Sequence, residues 1–147
     1  MKLSDVLKDV SLLGIDTAPI IYFIEKRDPY YAKMQTVVSA ITNGSIAAYS
    51  STMTLTEVLV QPLKVNNSAL VEEYEDVLLN SPNFSLMPID VTVSRAAARL
   101  RAQHNLKTPD AIQVATAIES QCEAFLTNDI GLKRVKELQI LVLDELE

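Results

Sequence analysis

Four acidic residues that lie far apart in the sequence, Asp16, Glu57, Asp110 and Asp129, are candidates for chemistry. Asp16 is the clearest of them, because it ends one apolar run and a second apolar segment follows it directly. A buried carboxylate without a partner costs roughly several kcal/mol, so it must be paired, neutralised or bound to a metal ion. No lysine or arginine is close to Asp16 in the sequence, so its partners must come from other segments.

Carboxylates brought together from several segments favour a bound divalent cation. Like charges at short range raise the pKa of at least one group unless a cation lies between them. The only histidine, His104, and the only cysteine, Cys122, cannot form a His/Cys metal cluster, so the expected ion is Mg²⁺ or Mn²⁺. Such ions activate a water molecule and stabilise the attacking and leaving oxygens at a phosphodiester. Thr127 and Asn128, beside the fourth acid, can orient water or a carboxylate through hydrogen bonds.

Strand and helix patterns alternate along the chain, and they place the acids at one edge of a sheet. Apolar runs predict strands and apolar stripes predict helices between them, so the fold class is α/β with a parallel sheet. Ligands bind beyond the carboxyl ends of such strands, where Asp16 and Asp129 are expected. The predicted strands cover residues 12–16, 46–50, 84–89, 124–127 and 140–143, and the predicted helices cover about 19–25, 30–42, 54–60, 68–80 and 91–104, with further helices from 108 and after 129.

The other two acids fall in the opening turns of predicted helices. In a right-handed βαβ connection these turns also face the crevice at the strand ends. Thr108 is predicted as the N-cap of the helix that contains Asp110, and Pro62 is predicted to end the helix that contains Glu57. These acids and Asp129 also have a simpler explanation, because a carboxylate at a helix start stabilises the helix by about 0.3–1 kcal/mol.

The composition indicates an ordinary globular domain, predicted to span residues 1–147. Of the 147 residues 48% are apolar, and only three are glycine and six proline, which argues against disorder. The net charge of −6 argues mildly against a dedicated nucleic-acid binder and assigns any phosphate contact to a local basic patch. No apolar run approaches the roughly 18 residues of a membrane span, and charges interrupt the N-terminal segment. The single cysteine fits a reducing compartment, so a cytoplasmic location is expected.

Four stretches of the chain resemble the PIN-domain family, in particular the VapC-like toxins of bacterial and archaeal toxin–antitoxin pairs. They follow the family order over about residues 12–143, and the run 110–117 together with Thr127-Asn128-Asp129 is the most specific part. The stretches are Leu13-Gly14-Ile15-Asp16-Thr17, Thr54-Leu55-Thr56-Glu57-Val58, Thr108-Pro109-Asp110-Ala111-Ile112-Gln113-Val114-Ala115-Thr116-Ala117 and Phe125-Leu126-Thr127-Asn128-Asp129.

This resemblance implies a three-layer α/β/α fold with a central parallel sheet of about five strands, and a metal-dependent endoribonuclease that acts on RNA. It also implies a homodimer that is silenced by an antitoxin protein, a segment of which enters the active-site groove. Many relatives carry a further acid a few residues after the fourth one, and this chain departs from them with Ile130-Gly131-Leu132. The implied Mg²⁺ or Mn²⁺ ligands are Asp16, Glu57, Asp110 and Asp129, with Thr127 as a supporting hydroxyl.

Two other functions stay open at this stage. The absent fifth acid and the negative net charge also fit a catalytically inactive PIN-like module that binds a protein partner or RNA. A phosphatase or phosphotransferase with Asp16 as nucleophile matches less well, because haloacid-dehalogenase-like folds place an acid or threonine two residues later, where this chain has Ala18. A P-loop is excluded, because no Gly-rich sequence ends in Lys-Ser or Lys-Thr.

Overall fold

The architecture, in a computed structural model that describes residues 1–147, is a five-stranded parallel sheet between two layers of helices. The strands are β1 (Leu12–Ile15), β2 (Ala47–Ser51), β3 (Phe84–Met87), β4 (Ala124–Thr127) and β5 (Gln139–Val142). Their spatial order is β3-β2-β1-β4-β5, and every neighbouring pair is parallel. The predicted α/β class, with its parallel sheet of five strands, is therefore confirmed.

Seven α-helices connect and cover the strands. Two single turns of 3-10 helix, Ile130–Arg134 and Leu143–Glu145, complete the fold, and the first of them replaces the helix predicted after residue 129. No helix has both the length and the apolar character that a membrane crossing requires. The helices are α1 (Leu3–Leu7), α2 (Thr17–Ile24), α3 (Tyr31–Thr42), α4 (Thr52–Lys64), α5 (Ser68–Asn80), α6 (Val91–His104) and α7 (Thr108–Glu119).

Two apolar cores, one on each face of the sheet, hold the three layers together. The first contains Met34 of α3 and Leu78 of α5, and the second contains Val114 of α7. Successive residues of a strand point to opposite faces, so Phe125 of β4 lies in the second core and Leu126 in the first. A sheet buried on both faces needs apolar residues at consecutive positions, which explains the continuous apolar runs in the sequence.

Gly14 lies in the central strand β1 at the point where α7 packs closest to the sheet. A Cβ atom at this position would lie 2.5 Å from the Cβ of Ala117 and 2.9 Å from Cδ1 of Phe125. These distances are shorter than van der Waals contact, so α7 reaches its position only because residue 14 has no side chain. Since β1 leads to Asp16 and α7 carries Asp110, this close approach sets the spacing of two of the acids.

The boundaries of α4 differ from those predicted. The helix begins at Thr52 rather than at residue 54, and it continues through Pro62 to Lys64, so the prediction that Pro62 ends the helix is wrong. Pro62 removes one intrahelical hydrogen bond in the last turn. Its ring is buried on the same stripe as Val58, and this packing offsets the lost bond. The earlier start moves Glu57 from the opening turn into the second turn.

The start of α7 is also shifted by one residue. The N-cap is Lys107, with extended backbone angles of φ −70° and ψ 154°, and Thr108 is already helical. The prediction of Thr108 as the N-cap is therefore wrong, because the chain changes direction one residue earlier. Pro109 still lies within the first two helical residues. A backbone N–H at that position would have no acceptor within the helix, so its absence in proline costs no hydrogen bond. Asp110 remains in the first turn, as predicted.

Candidate active site

Asp16 stands at the carboxyl end of the central strand and caps α2. Its Oδ1 accepts a hydrogen bond of 2.9 Å from the backbone N–H of Thr17, and its Oδ2 accepts one of 2.8 Å from the Thr127 hydroxyl. The backbone N–H of Asp16 donates to the carbonyl of Leu126 at 2.9 Å, which extends the pairing of β1 with β4. Two neighbouring strands therefore fix the position of this carboxylate.

Thr127 connects two of the predicted acids. This side chain is fully buried at the end of β4, and its hydroxyl accepts a hydrogen bond of 3.1 Å from the backbone N–H of Asp129 while it donates to Asp16. Asp129 Oδ1 accepts a bond of 2.9 Å from the backbone N–H of Gly131 and so caps the 3-10 turn that follows. Asp129 therefore uses one carboxylate oxygen as the expected cap, and its other carboxylate oxygen accepts no hydrogen bond from the protein.

Glu57 and Asp110 approach the same edge of the sheet from two helices. Glu57 is exposed, and its Oε1 accepts a hydrogen bond of 2.7 Å from the hydroxyl of Thr17, the residue after Asp16. Because Glu57 lies in the second turn of α4, stabilisation of a helix start does not explain it. Asp110 is half-buried in the first turn of α7, and its carboxylate accepts no hydrogen bond from the protein.

Burial and mutual repulsion raise the pKa values of Asp16 and Asp110. Loss of solvation is the largest cause for Asp16; hydrogen bonds from Thr127 and Thr17 oppose it, and the charges of Asp110 and Glu57 add to it. For Asp110, burial again comes first, and the charge of Asp129 follows. Asp110 thus lies within range of the charges of Asp129 and Glu57. Asp16 lies within range of the charges of Asp110 and Glu57. None of the four forms a salt bridge with a lysine or arginine.

Two basic residues lie on the flank of Asp110. Lys107 and Arg134 lower its pKa, although burial and Asp129 outweigh them. Two hydrogen bonds fix the side chain of Arg134. Its Nε donates to the backbone carbonyl of Gly131 at 2.8 Å, and its Nη1 donates to the backbone carbonyl of His104 at 3.1 Å. Both basic residues line a polar pocket together with Asp110 and Asp129. A phosphate entering this pocket would meet positive charge beside the acids.

The donor set fits a hard divalent ion that is held partly by the protein. All the candidate ligands are carboxylates, which Mg²⁺ and Mn²⁺ prefer. No three Asp, Glu, His or Cys side chains are close enough to form a complete metal shell by themselves. Mg²⁺ commonly binds through one or two carboxylates and completes its shell with water and substrate phosphate oxygens. The acids around Asp16 match that mode of binding rather than a closed protein cage.

Gln113 is a residue of the site that the sequence reasoning missed. It is 3% exposed, and its Nε2 donates to the hydroxyls of Thr17 at 3.0 Å and Thr54 at 2.8 Å. Its Oε1 accepts a bond of 2.9 Å from the hydroxyl of Ser51. This one amide therefore joins α7 to β2, α4 and the start of α2. Through Thr17 it is also connected to Glu57. The signal in the sequence was a glutamine in the middle of the apolar run of α7.

Replacement of Gln113 by leucine is expected to lower the free energy of unfolding by about 1–3 kcal/mol, because the buried hydroxyls lose their partner. The matched control is Gln103→Leu, at an exposed position of α6, which should change stability by less than about 0.5 kcal/mol. Urea denaturation of both variants measures the difference. An equal effect of the two substitutions would show that the network around Gln113 contributes nothing beyond ordinary surface polarity.

The raised pKa values of Asp16 and Asp110 predict that, without metal, the contribution of these two groups to the free energy of unfolding decreases as pH rises. Asp16 and Asp110 bind a proton more readily in the folded than in the unfolded chain, where 3.8 is the ordinary value. Their ionisation therefore opposes folding fully above the raised pKa values and not at all well below 3.8. Asp110→Asn should raise the thermal midpoint in EDTA near neutral pH, and the gain should shrink as the pH falls. A gain that is the same at every pH would contradict this origin.

Comparisons with known proteins agree with this geometry. The family model of the PIN domain matches residues 14–138, while no curated protein matches the chain. The fold is similar to FitAcB from Neisseria gonorrhoeae, with a TM-score of 0.66, 17% identity, and coverage of 92% of this chain and 99% of that one. It is also similar to VapBC2 from Rickettsia felis bound to a promoter DNA fragment (TM-score 0.64, 16% identity, 88% and 96% coverage). A toxin–antitoxin complex from Klebsiella pneumoniae gives a TM-score of 0.61, 23% identity, and 88% and 99% coverage.

The solved structures establish the fold, and the family model establishes the relationship. The matched segment begins at Gly14, ends just before β5 and includes all four acids and Thr127. The resemblance drawn from the four sequence stretches is thereby confirmed. This chain belongs to the PIN domain family.

Proposed function

We propose that this protein is a metal-dependent endoribonuclease that hydrolyses RNA phosphodiester bonds and acts as the toxin of a toxin–antitoxin pair. One observation supports the proposal: four carboxylates at the carboxyl edge of the sheet lie within range of one another's charge, and no lysine or arginine forms a salt bridge with them. Such a cluster destabilises the fold unless it has a cation to bind. Membership of the PIN family supports nuclease activity as the function of this acidic cluster.

Asp16, Glu57, Asp110 and Asp129 would hold Mg²⁺ or Mn²⁺. When bound, the ion supplies positive charge for the phosphodiester and lowers the pKa of a water molecule. The protein contributes positioning. Thr127 keeps one oxygen of Asp16 oriented, and Gln113 keeps Thr17 in place to orient Glu57. Lys107 and Arg134, beside Asp110, are placed to bind a phosphate oxygen and so to hold the RNA backbone.

An antitoxin protein is the proposed partner, and a homodimer in the cytoplasm is the proposed state of the toxin. Support comes from the similar solved structures, one of which is named as a toxin–antitoxin complex and another as VapBC2 bound to promoter DNA. Those names describe the other proteins. Because their sequence identity to this chain is low, the similarity shows only a shared fold. Size-exclusion chromatography with light scattering tests the dimer, and co-purification with the product of the adjacent gene tests the partner.

A second candidate function is a catalytically inactive PIN module that binds a protein partner or RNA. The observation in its favour is Ile130, which is 63% exposed directly after the fourth acid, in the region where many relatives carry a further acid. An exposed apolar side chain at this point suits a protein contact better than a metal ligand. This candidate predicts no turnover of any RNA at millimolar Mg²⁺ or Mn²⁺.

Thermal unfolding in EDTA, Mg²⁺ and Mn²⁺ tests the metal site. The native protein should be stabilised by about 2.7 kcal/mol when the ion is present at 100 times its dissociation constant. Asp110→Asn should lose most of this gain, whereas Asp9→Asn, at an exposed position near the opposite edge of the sheet, should keep it. Equal gains in all three proteins would mean that the ion binds elsewhere. Cleavage of RNA by the native protein, absent in EDTA, then tests the activity itself.

A further inference from the structure

Aromatic side chains are concentrated on the segment that follows Asp16. The chain has three phenylalanines, five tyrosines and no tryptophan. Tyr22 and Tyr30 stack with ring centroids 4.3 Å apart and planes inclined by 19°. Phe23 and Tyr31 form a second, tilted pair at 6.0 Å. Half of the aromatic residues of the protein therefore lie within residues 22–31, between the middle of α2 and the start of α3.

The stacked pair is tied to the turn that carries Asp129. The Tyr30 hydroxyl donates a hydrogen bond of 2.7 Å to Oδ1 of Asp144, and Nδ2 of Asn128 donates one of 3.4 Å to the Tyr22 hydroxyl. The carbonyl oxygen of the Asn128 side chain accepts a bond of 2.9 Å from the backbone N–H of Asp144. Since Asn128 directly precedes Asp129, the two rings are fixed relative to the acids.

Both rings keep part of their surface in solvent, and the segment that carries them has a small excess of positive charge. Tyr22 and Tyr30 are each only half-buried. Lys26 and Lys33 form no salt bridge, and the ammonium group of Lys33 donates to the carbonyl of Leu143 at 2.9 Å. Residues 22–33 carry three basic and two acidic side chains, in a chain whose net charge is −6. This segment is thus rich in aromatic rings and slightly basic, in a protein that is acidic as a whole.

This combination is the one that single-stranded nucleic acids require. Unpaired bases stack on aromatic rings, and the backbone follows nearby positive charge. Stacking is tolerant of sequence, because every base has a flat π-face. A protein partner would also use aromatic rings. RNA is favoured because Asn128, which contacts Tyr22, directly precedes Asp129, so a base stacked on this pair would lie near the acids.

We propose that Tyr22 and Tyr30 form a platform on which one unpaired base of the RNA stacks next to the cleaved phosphate. This inference rests on the proposed ribonuclease function and adds two residues of this chain that would bind the nucleotide beside the cleaved bond. The platform binds and orients the nucleotide beside the acids. It contributes to affinity and to the choice of the cleaved bond.

The first test is binding of a short single-stranded oligoribonucleotide, measured in the Asp110→Asn background so that the RNA stays intact. Tyr30→Leu should raise the dissociation constant by between about 5-fold and 150-fold, which is the loss of affinity expected when one base no longer stacks. Tyr30→Phe retains the ring and loses only the bond to Asp144, so it should recover most of that factor. Far-ultraviolet circular dichroism and the thermal midpoint confirm that each variant is folded.

The second test needs no substitution in the platform. Oligoribonucleotides with a single abasic nucleotide, moved one position at a time, should show one position at which the Asp110→Asn protein loses affinity. In the Tyr30→Leu variant this sensitivity should disappear, which a purely structural role of Tyr30 would not produce. A uniform response along the oligoribonucleotide, or equal sensitivity in both proteins, would overturn the platform.

The outcomes separate this inference from the proposed function. If the native protein cleaves RNA and Tyr30→Leu cleaves the same RNA at the same rate and affinity, the platform is wrong and the ribonuclease stands. If the native protein neither binds nor cleaves any RNA in Mg²⁺ or Mn²⁺, both are wrong. Loss of a protein partner from Tyr30→Leu with unchanged RNA binding would assign the pair to that partner and overturn the RNA platform.

Discussion

Asp110→Asn is expected to reduce RNA cleavage by about 100-fold or more while the fold stays intact. Asp110 is suited to this test because its carboxylate accepts no hydrogen bond from the protein, and because burial and then the charge of Asp129 raise its pKa. Removal of its charge therefore breaks no contact within the protein and relieves repulsion from Asp129. Asparagine keeps the shape of the side chain but binds a divalent ion more weakly. Initial rates on a defined RNA, at several Mg²⁺ and Mn²⁺ concentrations, measure the effect.

The control for this substitution is Asp9→Asn, which removes the same charge from an exposed position just before β1. Its rate should match that of the native protein. Cleavage by Asp110→Asn at the native rate would mean that Asp110 is not part of the catalytic site, or that a contaminating nuclease cuts the RNA. Cleavage that persists in EDTA in both preparations identifies the contaminant. Higher metal concentrations should restore part of the lost rate if Asp110 binds the ion.

Gly14→Ala is expected to destabilise the protein by about 3 kcal/mol or more. The added methyl group would lie 2.5 Å from the Cβ of Ala117 and 2.9 Å from the ring of Phe125. Neither neighbour can move freely, since Ala117 is part of α7 and Phe125 is fully buried in the second core. Helix α7 must shift away from β1, and Asp110 shifts with it. Urea denaturation measures the stability, and the metal-induced rise of the thermal midpoint reports the damage to the site.

The double variant Gly14→Ala with Ala117→Gly is the matched rescue. It removes the methyl group that the new side chain would meet first, so part of the lost stability should return. Ala117→Gly alone should cost about 1 kcal/mol, because glycine inside a helix is unfavourable. The rescue is visible as non-additivity of the two substitutions in a double-mutant cycle. Strictly additive losses would contradict the close approach of α7 to β1 at this point.

The sequence was sufficient to predict the sheet and the edge at which the acids meet. Continuous apolar runs identify strands that are buried on both faces, and a carboxylate directly after such a run, as at Asp16, can only lie at the strand end. The order of elements then places Asp129 in the same crevice. These inferences depend on local pattern and on general rules of parallel sheets, and neither requires knowledge of side-chain contacts.

The parts that could not be predicted depend on contacts between distant segments. Gln113 stands out as a glutamine within an apolar run, but only the packing of α7 against β2 and α4 shows which hydroxyls its buried amide contacts. The stacking of Tyr22 on Tyr30 joins two helices and leaves no signal in sequence spacing. The start of α4 was ambiguous because several Ser and Thr residues, all possible N-caps, lie within residues 50–54. The actual N-cap, Ser51, makes no capping hydrogen bond.

The pairing of β1 with β4 has a consequence for when the candidate active site can form during synthesis of the chain. Leu13 lies opposite Ala124 in these strands, so the chain must be extended by more than a hundred residues before the pair can form. Until then the Thr127 hydroxyl that holds Asp16 does not exist, and neither does Asp129. A ribosome that makes this protein therefore carries an incomplete active site for most of the elongation period. If the protein cuts RNA as proposed, the site would stay incomplete while most of its own message is being translated.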